Sequence, residues 1–203
     1  MAKQIIPKKM LLKEKTGLFF GSFNPFHSAH LIIADYMLKF TDINEIWFVI
    51  SPQNPFKQKN ILLDQYQRLQ LVNLAIQDNS KLKVCDIEFK LTKPSYTINT
   101  LNYIKEKYPK KQFVLIMGSD NLKTFYKWKD YRQIIKNYEL YVYPRYKSDK
   151  TETLNKQIKI IDAPLTEISS SFIRDAIKNK KDVKYMLPVK VYDYIKKMHF
   201  YKK

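Results

Sequence analysis

The chain has very little cysteine, glycine and histidine. Its 203 residues include one cysteine, Cys85, three glycines and three histidines. A single cysteine excludes an internal disulfide and a cysteine-rich metal site, which suits a reducing cytoplasm. The chain also lacks the roughly 18–20 consecutive apolar residues of a membrane helix and the apolar stretch of a secretion signal. We therefore expect a cytoplasmic protein with no membrane partner.

Acidic residues are scarce relative to basic ones. There are 37 Lys and Arg against 19 Asp and Glu, which gives a net charge of +18. Eleven of these net charges fall in residues 1–15 and 178–203. This distribution favours solvated lysine-rich ends, with residues 1–15 as a basic N-terminal extension. The charge alone would also suit a nucleic-acid-binding module, but that alternative leaves the motifs below unexplained, so we expect no nucleic acid partner.

Apolar segments of strand length alternate with segments of helical period along residues 16–203. The strand-like segments are "GLFF", "EIWFVIS", "KLKVCDIEF", "QFVLIMG", "ELYVYP" and "IKIIDAP". Segments such as "HLIIADYMLKF" between them have the apolar spacing of amphipathic helices. This order predicts a single α/β domain over residues 16–203, with a Rossmann-like parallel sheet covered by helices on both faces. Ligands of such sheets bind at the carboxyl ends of the strands.

The sequence also predicts several helix boundaries. Asp64 is a suitable N-cap for the second helix, and the third helix is expected to open at Ser95 or Thr97. The helical segment after the fourth strand is expected to break near Trp128. The linker-like stretch at 145–157 is interpreted as a surface loop within the domain.

Two of the three glycines follow predicted strands. Gly21 comes after the first strand and Gly118 after the fourth. A glycine at such a place lets the backbone approach a ligand or adopt a positive φ, and a simple tight turn is the alternative. Gly21 opens the segment "GSFNPFHSAHL", whose backbone N–H groups could cradle a phosphate at the start of the next helix.

That helix start carries two of the three histidines, His27 and His30. Their spacing of three residues lets both point at one ligand. With a third ligand they could hold zinc, but the sequence offers no obvious one. Alternatively, they donate hydrogen bonds to phosphate oxygens and stabilise charge in a transition state. The remaining interpretation is an ordinary pair of histidines at a helix start.

Other candidates follow later strands or open later helices. "ISSSFIR" (168–174) places three hydroxyls at a helix N-terminus with Arg174 one turn inside, which suits either phosphate or a plain serine cap. Asp120 could accept hydrogen bonds from ribose hydroxyls or cap a helix. Lys57 and Arg145 follow strands where each could meet a phosphate, although a solvated charge is the commoner role.

Several of these motifs together resemble one family. "GSFNPFHSAHL" is similar to the signature of nucleotidylyltransferases with an HxGH motif. "SPQNPFK" (51–57), "PSYTINTL" (94–101), "GSDNLKTFYKW" (118–128) and "ISSSFIR" are similar, in order and spacing, to bacterial nicotinate mononucleotide adenylyltransferases. The resemblance covers roughly residues 16–200. The chain departs from the family pattern at Phe20 and Ala29, where the family has glycine, and at Asn24, where it has aspartate.

The resemblance implies an activity and a site. The activity is adenylyl transfer from ATP to nicotinate mononucleotide, with Mg²⁺ accompanying ATP, to give nicotinate adenine dinucleotide and pyrophosphate in NAD biosynthesis. The implied catalytic residues are His27 and His30, and no protein metal ligand is implied. The implied ATP-binding residues are Gly21, Ser22, Phe23, His30, Gly118, Asp120, Ser169, Ser170 and Arg174.

The family also suggests how the acceptor is held. The implied residues for nicotinate mononucleotide are Asn24, Lys57, Thr97, Trp128 and Lys129, with Arg145 as a further phosphate contact. The Trp128 ring would stack on the nicotinate, although a core tryptophan is the alternative. Backbone amides near Thr97 and at Lys129 would bind its carboxylate. Nicotinamide mononucleotide, phosphopantetheine or another phosphate remain alternative acceptors on the same fold.

Overall fold

A six-stranded parallel sheet forms the centre of the described structure. The computed structural model describes residues 14–52, 62–92, 95–145 and 155–202. Lys57, most of the predicted extension and most of the loop at 145–157 lie outside these ranges. The strands run in the order β3-β2-β1-β4-β5-β6. They are β1 (Lys15–Gly21), β2 (Ile43–Ile50), β3 (Leu82–Cys85), β4 (Gln112–Gly118), β5 (Glu139–Tyr143) and β6 (Ile158–Ile160).

Helices follow the strands within the described ranges. They are α1 (Ser28–Phe40), α2 (Gln65–Ile76), α3 (Thr97–Lys107), α4 (Ser119–Thr124), α5 (Tyr131–Asn137), α6 (Ser170–Lys178) and α7 (Val189–Lys197). None of the described helices is long and apolar enough to cross a membrane. The parallel sheet with its connecting helices confirms the predicted α/β fold.

Both faces of the sheet are buried. Consecutive residues of a strand point to opposite faces, so Phe19 joins one apolar cluster and Leu18 the other. Side chains of α1 and α2 cover the first face, and side chains of α3 and α5 cover the second. This explains why the strands are apolar throughout rather than alternating.

A third apolar cluster joins α2, α6 and α7. It contains Leu71 of α2, Ile173 of α6, Val191 and Ile195 of α7, and Phe200 beyond α7. The C-terminal residues are thereby packed against the same helices that flank the carboxyl ends of β1 and β2.

Most of the predicted boundaries agree with the structure. Asp64 caps α2, since its carboxylate accepts a hydrogen bond from the N–H of Tyr66 at 2.8 Å. The segment after β4 breaks at Trp128, as predicted. The third strand is shorter than predicted, because it ends at Cys85 and a 3₁₀ turn follows at Ile87–Lys90.

Helix α3 opens at Thr97, one of the two predicted starts. Neither Ser95 nor Thr97 caps this helix, whose N-cap residue is Tyr96 and makes no side-chain cap. Instead, the Ser95 hydroxyl donates a hydrogen bond to the buried carboxylate of Glu88 at 3.0 Å. A second hydroxyl, that of Thr100, donates to the same carboxylate at 2.8 Å. The buried carboxylate of Glu88 therefore binds the Ser95 hydroxyl, and the helix begins two residues later at Thr97.

Ion pairs occupy the amino ends of the strands. Glu45 accepts hydrogen bonds from Lys83 at 2.7 Å, Lys111 at 2.6 Å and the hydroxyl of Thr16 at 2.9 Å. Burial alone would raise the pKa of Glu45, but these donors outweigh it and lower that pKa to about 2. Part of the lysine excess is thus used to neutralise acids at the edge opposite the predicted ligand site.

Candidate active site

A cleft of about 1130 Å³ opens at the carboxyl ends of β1 and β4. The strand order reverses between these two strands, so the loops that follow them diverge and leave a crevice. The cleft is lined by all the candidate residues that the structure describes, namely Gly21, Ser22, Phe23, Asn24, His27, His30, Thr97, Gly118, Asp120, Trp128, Lys129, Arg145, Ser169, Ser170 and Arg174. Lys57 lies outside the described residues.

The two glycines of the cleft make room for side chains. Neither has a positive φ, so that alternative is wrong, and close approach of the backbone to a ligand stays a prediction. A Cβ on Gly21 would lie 2.8 Å from the ring of Phe23, and a Cβ on Gly118 would clash with the side chains of Asp120 and Arg145. The left-handed conformation after β1 belongs instead to Phe23, with φ of 47°. This unfavourable backbone is held by burial of the ring, which is 2% exposed.

Aromatic rings surround His30. Its ring centroid lies 5.1 Å from that of Phe23, 4.9 Å from that of Phe26 and 5.9 Å from that of Phe19. These rings belong to the first apolar cluster and pack on Phe48 of β2. The imidazole is therefore oriented by the core of the sheet.

The two histidines stack on each other. Their ring centroids are 3.7 Å apart, and the backbone N–H of His27 donates to Nδ1 of His30 at 3.2 Å. Since Nδ1 of His30 accepts this bond, the neutral ring carries its proton on Nε2. Burial, followed by the nearby charge of Arg145, lowers the pKa of His27 to about 3. His27 is therefore a neutral imidazole at physiological pH.

The hydroxyls at the start of α6 bind to the turn that leads to these histidines. Ser169 is the N-cap, and its Oγ accepts from the N–H of Phe172 at 3.2 Å, so the plain capping role is realised. Ser170 differs, because its hydroxyl donates to the carbonyl of Pro25 at 2.9 Å. Arg174 donates to the carbonyl of Asn24 at 2.8 Å. The serine-rich helix start and the histidine turn thus form one wall of the cleft.

Asp120 and Arg145 face each other across the ends of β4 and β5. Arg145 Nε lies 4.0 Å from Oδ1 of Asp120, and the Arg145 N–H donates to the hydroxyl of Ser119 at 3.0 Å. Asp120 lies in the first turn of α4, whose N-cap residue Gly118 has no side-chain cap. The predicted alternative of Asp120 as a helix cap is therefore not realised, and its carboxylate faces the cleft.

The far end of the cleft is aromatic and basic. Trp128 is partly buried against Phe125, with 5.4 Å between ring centroids. The ammonium of Lys129 lies 4.8 Å from the ring centroid of Tyr96, which connects this turn to the start of α3. No side chain caps α3 at Thr97, so the backbone N–H groups of its first turn can receive an anion. The aromatic ring of Trp128 thus lies at the same end of the cleft as two sources of positive electrostatic potential, the Lys129 ammonium and the N–H groups at the start of α3.

Two polar residues near the cleft were missed by sequence reasoning. Arg68 is 1% exposed, and its guanidinium donates to the carbonyls of Ser22, Ser51, Pro52 and Leu63 at 2.7, 2.8, 3.0 and 3.0 Å. Glu88 lines the cleft while its carboxylate is buried. A charged residue among the apolar positions of a helix was the available signal for Arg68. Nothing distinguished Glu88 within a segment that reads as a strand.

The Asn24 side chain, which was predicted to contact the acceptor, also makes hydrogen bonds to other parts of the chain. It is 2% exposed, and its Oδ1 accepts from the hydroxyl of Tyr201 at 2.8 Å and from the N–H of Leu63 at 3.3 Å. The neutral amide at this position therefore acts as a junction between the turn after β1, the segment before α2 and the C-terminal residues.

The fold, the reversal of strand order at the cleft and the paired histidines define a nucleotidyltransferase of the cytidylyltransferase-like class, whose family model matches residues 18–176. The chain is 53% identical over 193 residues to a protein of Flavobacterium johnsoniae named probable nicotinate-nucleotide adenylyltransferase, covering 93% of this chain and 100% of that protein. A protein of the same name from Bacteroides fragilis is 45% identical over 184 residues, covering 90% and 91%. The chain belongs to the nicotinate-nucleotide adenylyltransferase family.

Solved structures share the fold. The nicotinic acid mononucleotide adenylyltransferase of Plasmodium falciparum, in complex with NaAD, superposes with a TM-score of 0.78. It is 23% identical and covers 93% of this chain and 97% of its own. At that identity the likeness concerns the architecture, and it agrees with the family relationship found from sequence.

Proposed function

We propose that this cleft transfers the adenylyl group of ATP to nicotinate mononucleotide and so forms nicotinate adenine dinucleotide and pyrophosphate in NAD biosynthesis. The single observation that carries the proposal is the stacked pair of His27 and His30. The pair lies between a serine- and arginine-bearing wall and an aromatic, basic pocket. A phosphate-rich donor suits the first region, and a flat anionic ring suits the second.

The transfer needs no nucleophilic side chain. An oxygen of the acceptor phosphate attacks the α-phosphorus of ATP in line, and the bond from that phosphorus to the bridging oxygen breaks. Pyrophosphate leaves with the electron pair. Catalysis of this kind consists mainly of positioning and stabilisation of charge. Cys85 takes no part, because burial raises the pKa of its thiol to about 11 and the thiol lies outside the cleft.

The histidines stabilise the charge that moves during the transfer. His30 presents Nε2–H as a donor because its Nδ1 is engaged by the His27 N–H. An imidazole N–H can donate a hydrogen bond to a phosphate oxygen, and preorganised donors are worth most where charge develops. We assign His30 to the transferring group and His27 to the leaving pyrophosphate beside it.

The walls of the cleft supply the binding contacts. On the ATP side, the triphosphate is bound by Ser169, Ser170 and Arg174. The carboxylate of Asp120 accepts hydrogen bonds from the ribose hydroxyls. The backbone lies against the nucleotide at Gly21, Ser22, Phe23 and Gly118. On the acceptor side, Trp128 stacks on the nicotinate ring, while the backbone amides at Thr97 and Lys129 bind its carboxylate. Arg145 and Lys57 contact phosphate, and Asn24 supports the acceptor side.

Magnesium fits this site as a companion of ATP. Among the described residues, no group of three or more His, Cys, Asp or Glu side chains could hold a metal ion. The cleft offers donors for phosphate instead, which suits a cation that arrives on the triphosphate and keeps most of its ligands from substrate and water. When bound, Mg²⁺ neutralises charge on the phosphate oxygens.

The test is pyrophosphate release by the purified protein with ATP and Mg²⁺, using nicotinate mononucleotide and nicotinamide mononucleotide in parallel. We expect release with the acid at a kcat/KM at least about 10-fold above that with the amide. Omission of Mg²⁺ in the presence of a chelator should abolish release. A preference for the amide would overturn the acceptor assignment, and release with neither would overturn the proposed function.

A further inference from the structure

The C-terminal residues turn back to the cleft. After α7 ends at Lys197, His199 and Tyr201 both adopt left-handed backbone conformations, with φ of 56° and 63°. Phe200 between them is buried in the third apolar cluster. This turn brings the hydroxyl of Tyr201 within 2.8 Å of Oδ1 of Asn24, a residue 177 positions earlier in the chain. Left-handed conformations are costly for residues with side chains, so the docked end of the chain must compensate for them.

Asn24 is the residue through which this contact reaches the catalytic turn. It follows Phe23, whose backbone is also left-handed, and precedes His27 by three residues. Its carbonyl accepts from Arg174, and its amide oxygen accepts from Leu63 and Tyr201. The turn that carries His27 is therefore held from three separate parts of the chain, and the C-terminal contact is one of them.

We propose that Tyr201 is a positioning residue for adenylyl transfer, whose hydroxyl orients Asn24 and thereby sets the placement of the His27 and His30 rings. The inference rests on the proposed function. Two features of the molecule separate it from a purely structural role. The Tyr201 ring packs against Phe200, with centroids 6.2 Å apart, and needs no hydroxyl for that. The hydroxyl itself is directed at a residue of the active-site turn.

The environment of the Tyr201 hydroxyl keeps it protonated, so that it can donate its hydrogen bond. Burial raises the pKa of Tyr201 far above its ordinary value, while the guanidinium groups of Arg174 and Arg68 lower it to a smaller extent. The phenol therefore stays protonated throughout the pH range of the enzyme. Asn24 Oδ1 would lose this donor if the hydroxyl were removed, and we expect the buried amide to reorient to recover the lost bond.

The decisive variant is Tyr201→Phe, and Tyr192→Phe is its matched control. The Tyr192 hydroxyl also donates a hydrogen bond near the C-terminus, to Asp182 at 2.9 Å, but Asp182, unlike Asn24, does not line the cleft. We expect Tyr201→Phe to lower kcat about 10-fold while the KM for each substrate stays within about 2-fold of wild type. Tyr192→Phe should keep the wild-type kcat. Equal kcat values for the two variants would overturn the inference.

A second readout does not depend on turnover. The chain has three histidines, so the imidazole signals of His27 and His30 can be followed by NMR in the unliganded protein. Both should shift in Tyr201→Phe and stay in place in Tyr192→Phe. A fall in melting temperature without movement of these signals would show a merely structural role and overturn the inference. If wild type released no pyrophosphate, the proposed function would fail while this readout still decided the role of Tyr201.

A double-mutant cycle tests whether Tyr201 acts through Asn24. If Tyr201 acts through Asn24, then adding Tyr201→Phe to Asn24→Ala should lower kcat by less than about 2-fold further, because the partner of the hydroxyl is already gone. A further loss of about 10-fold in the double variant would mean that the two residues act independently, which contradicts the inference.

Discussion

His30 receives a hydrogen bond at Nδ1 from the backbone N–H of His27, 3.2 Å away, while the two imidazoles stack at 3.7 Å. One contact thus orients both rings and selects the tautomer of the second. The spacing of three residues at the start of α1 makes this possible, because it places the third helical side chain above the N-cap backbone. The pair is a preorganised donor site before any substrate arrives.

The first prediction concerns the donor itself. His30→Ala removes the Nε2–H that we assign to the transferring phosphate, so we expect kcat to fall by more than ~100-fold with ATP binding largely retained. Pyrophosphate release and ATP titration of the same preparation measure the two quantities. Near-normal turnover in a correctly folded variant would exclude a catalytic role for His30.

The third histidine offers a control for that experiment. His199 lies outside the cleft and contacts Lys202 at 2.9 Å. Its backbone is left-handed, so asparagine is the suitable replacement because it tolerates that conformation. His199→Asn should show wild-type turnover, which would separate loss of the donor from loss of any histidine.

A second prediction concerns stability against pH. The pKa of His27 is about 3 in the folded chain against an ordinary value of 6.5, with burial as the largest cause. Between these values the unfolded chain binds the extra proton. The free energy of unfolding should therefore fall by about 1.4 kcal/mol per pH unit as the pH drops from about 6 to 4.

The contribution of His27 is isolated by comparison with His27→Gln. Urea unfolding of both proteins at several pH values gives the two curves. Buried or paired carboxylates such as Glu45 also affect the acid limb, but they do so in both proteins. The wild-type curve should be steeper by the stated slope, and parallel curves would show that His27 does not stay neutral in the folded state.

Much of the fold was predictable because its signals are local. Apolar strands, the Asp64 cap and the break at Trp128 each depend on residues close together in sequence, and the structure agrees with them. The start of α3 could be narrowed to Ser95 or Thr97, but the choice of Thr97 was not predictable in the same way. Ser95 carries a normal capping side chain, but the buried carboxylate of Glu88 competes for its hydroxyl, and only the folded chain brings the two together.

The candidate site shows the same division. Some members, such as Gly21 and Gly118, could be named because they follow strand ends, and others, such as Trp128, because the family resemblance implies them; the fold gathers both kinds into one cleft. Their supporting residues could not, because Arg68 and Tyr201 contact the site through backbone carbonyls and a single amide oxygen distant in sequence. Gly21 was correctly placed at the cleft, but its contact with the Phe23 ring could not be predicted from the sequence, and it does not adopt a positive φ.

A third prediction concerns the acceptor end of the cleft. Trp128→Ala removes the ring assigned to stack on nicotinate, so we expect the KM for nicotinate mononucleotide to rise about 10-fold or more while the KM for ATP changes little. Steady-state kinetics with each substrate varied in turn provide the measurement. An equal rise in both KM values would place Trp128 in the core rather than in the acceptor pocket.

A fourth prediction concerns Lys129, whose ammonium lies over Tyr96 at the same end. Lys129→Met removes positive charge near the expected nicotinate carboxylate, so the ratio of kcat/KM for acid over amide should fall about 5-fold. Lys196 lies over the ring of Tyr192 at 5.3 Å, away from the cleft, and supplies the matched control. Lys196→Met should leave the ratio unchanged. An unchanged ratio in Lys129→Met would mean that the backbone amides alone recognise the nicotinate carboxylate.

The last prediction concerns Arg68, which joins the loops after β1 and β2 to the segment before α2 by four hydrogen bonds to carbonyls. Arg68→Met fills a similar volume but leaves those buried carbonyls without a donor, so it should lower the free energy of unfolding by about 3–5 kcal/mol. Arg132→Met, at an exposed arginine of α5, is the control and should leave the urea midpoint unchanged. If both variants unfolded at the wild-type midpoint, water would satisfy the carbonyls, and the stability of the loops after β1 and β2 could not be attributed to Arg68.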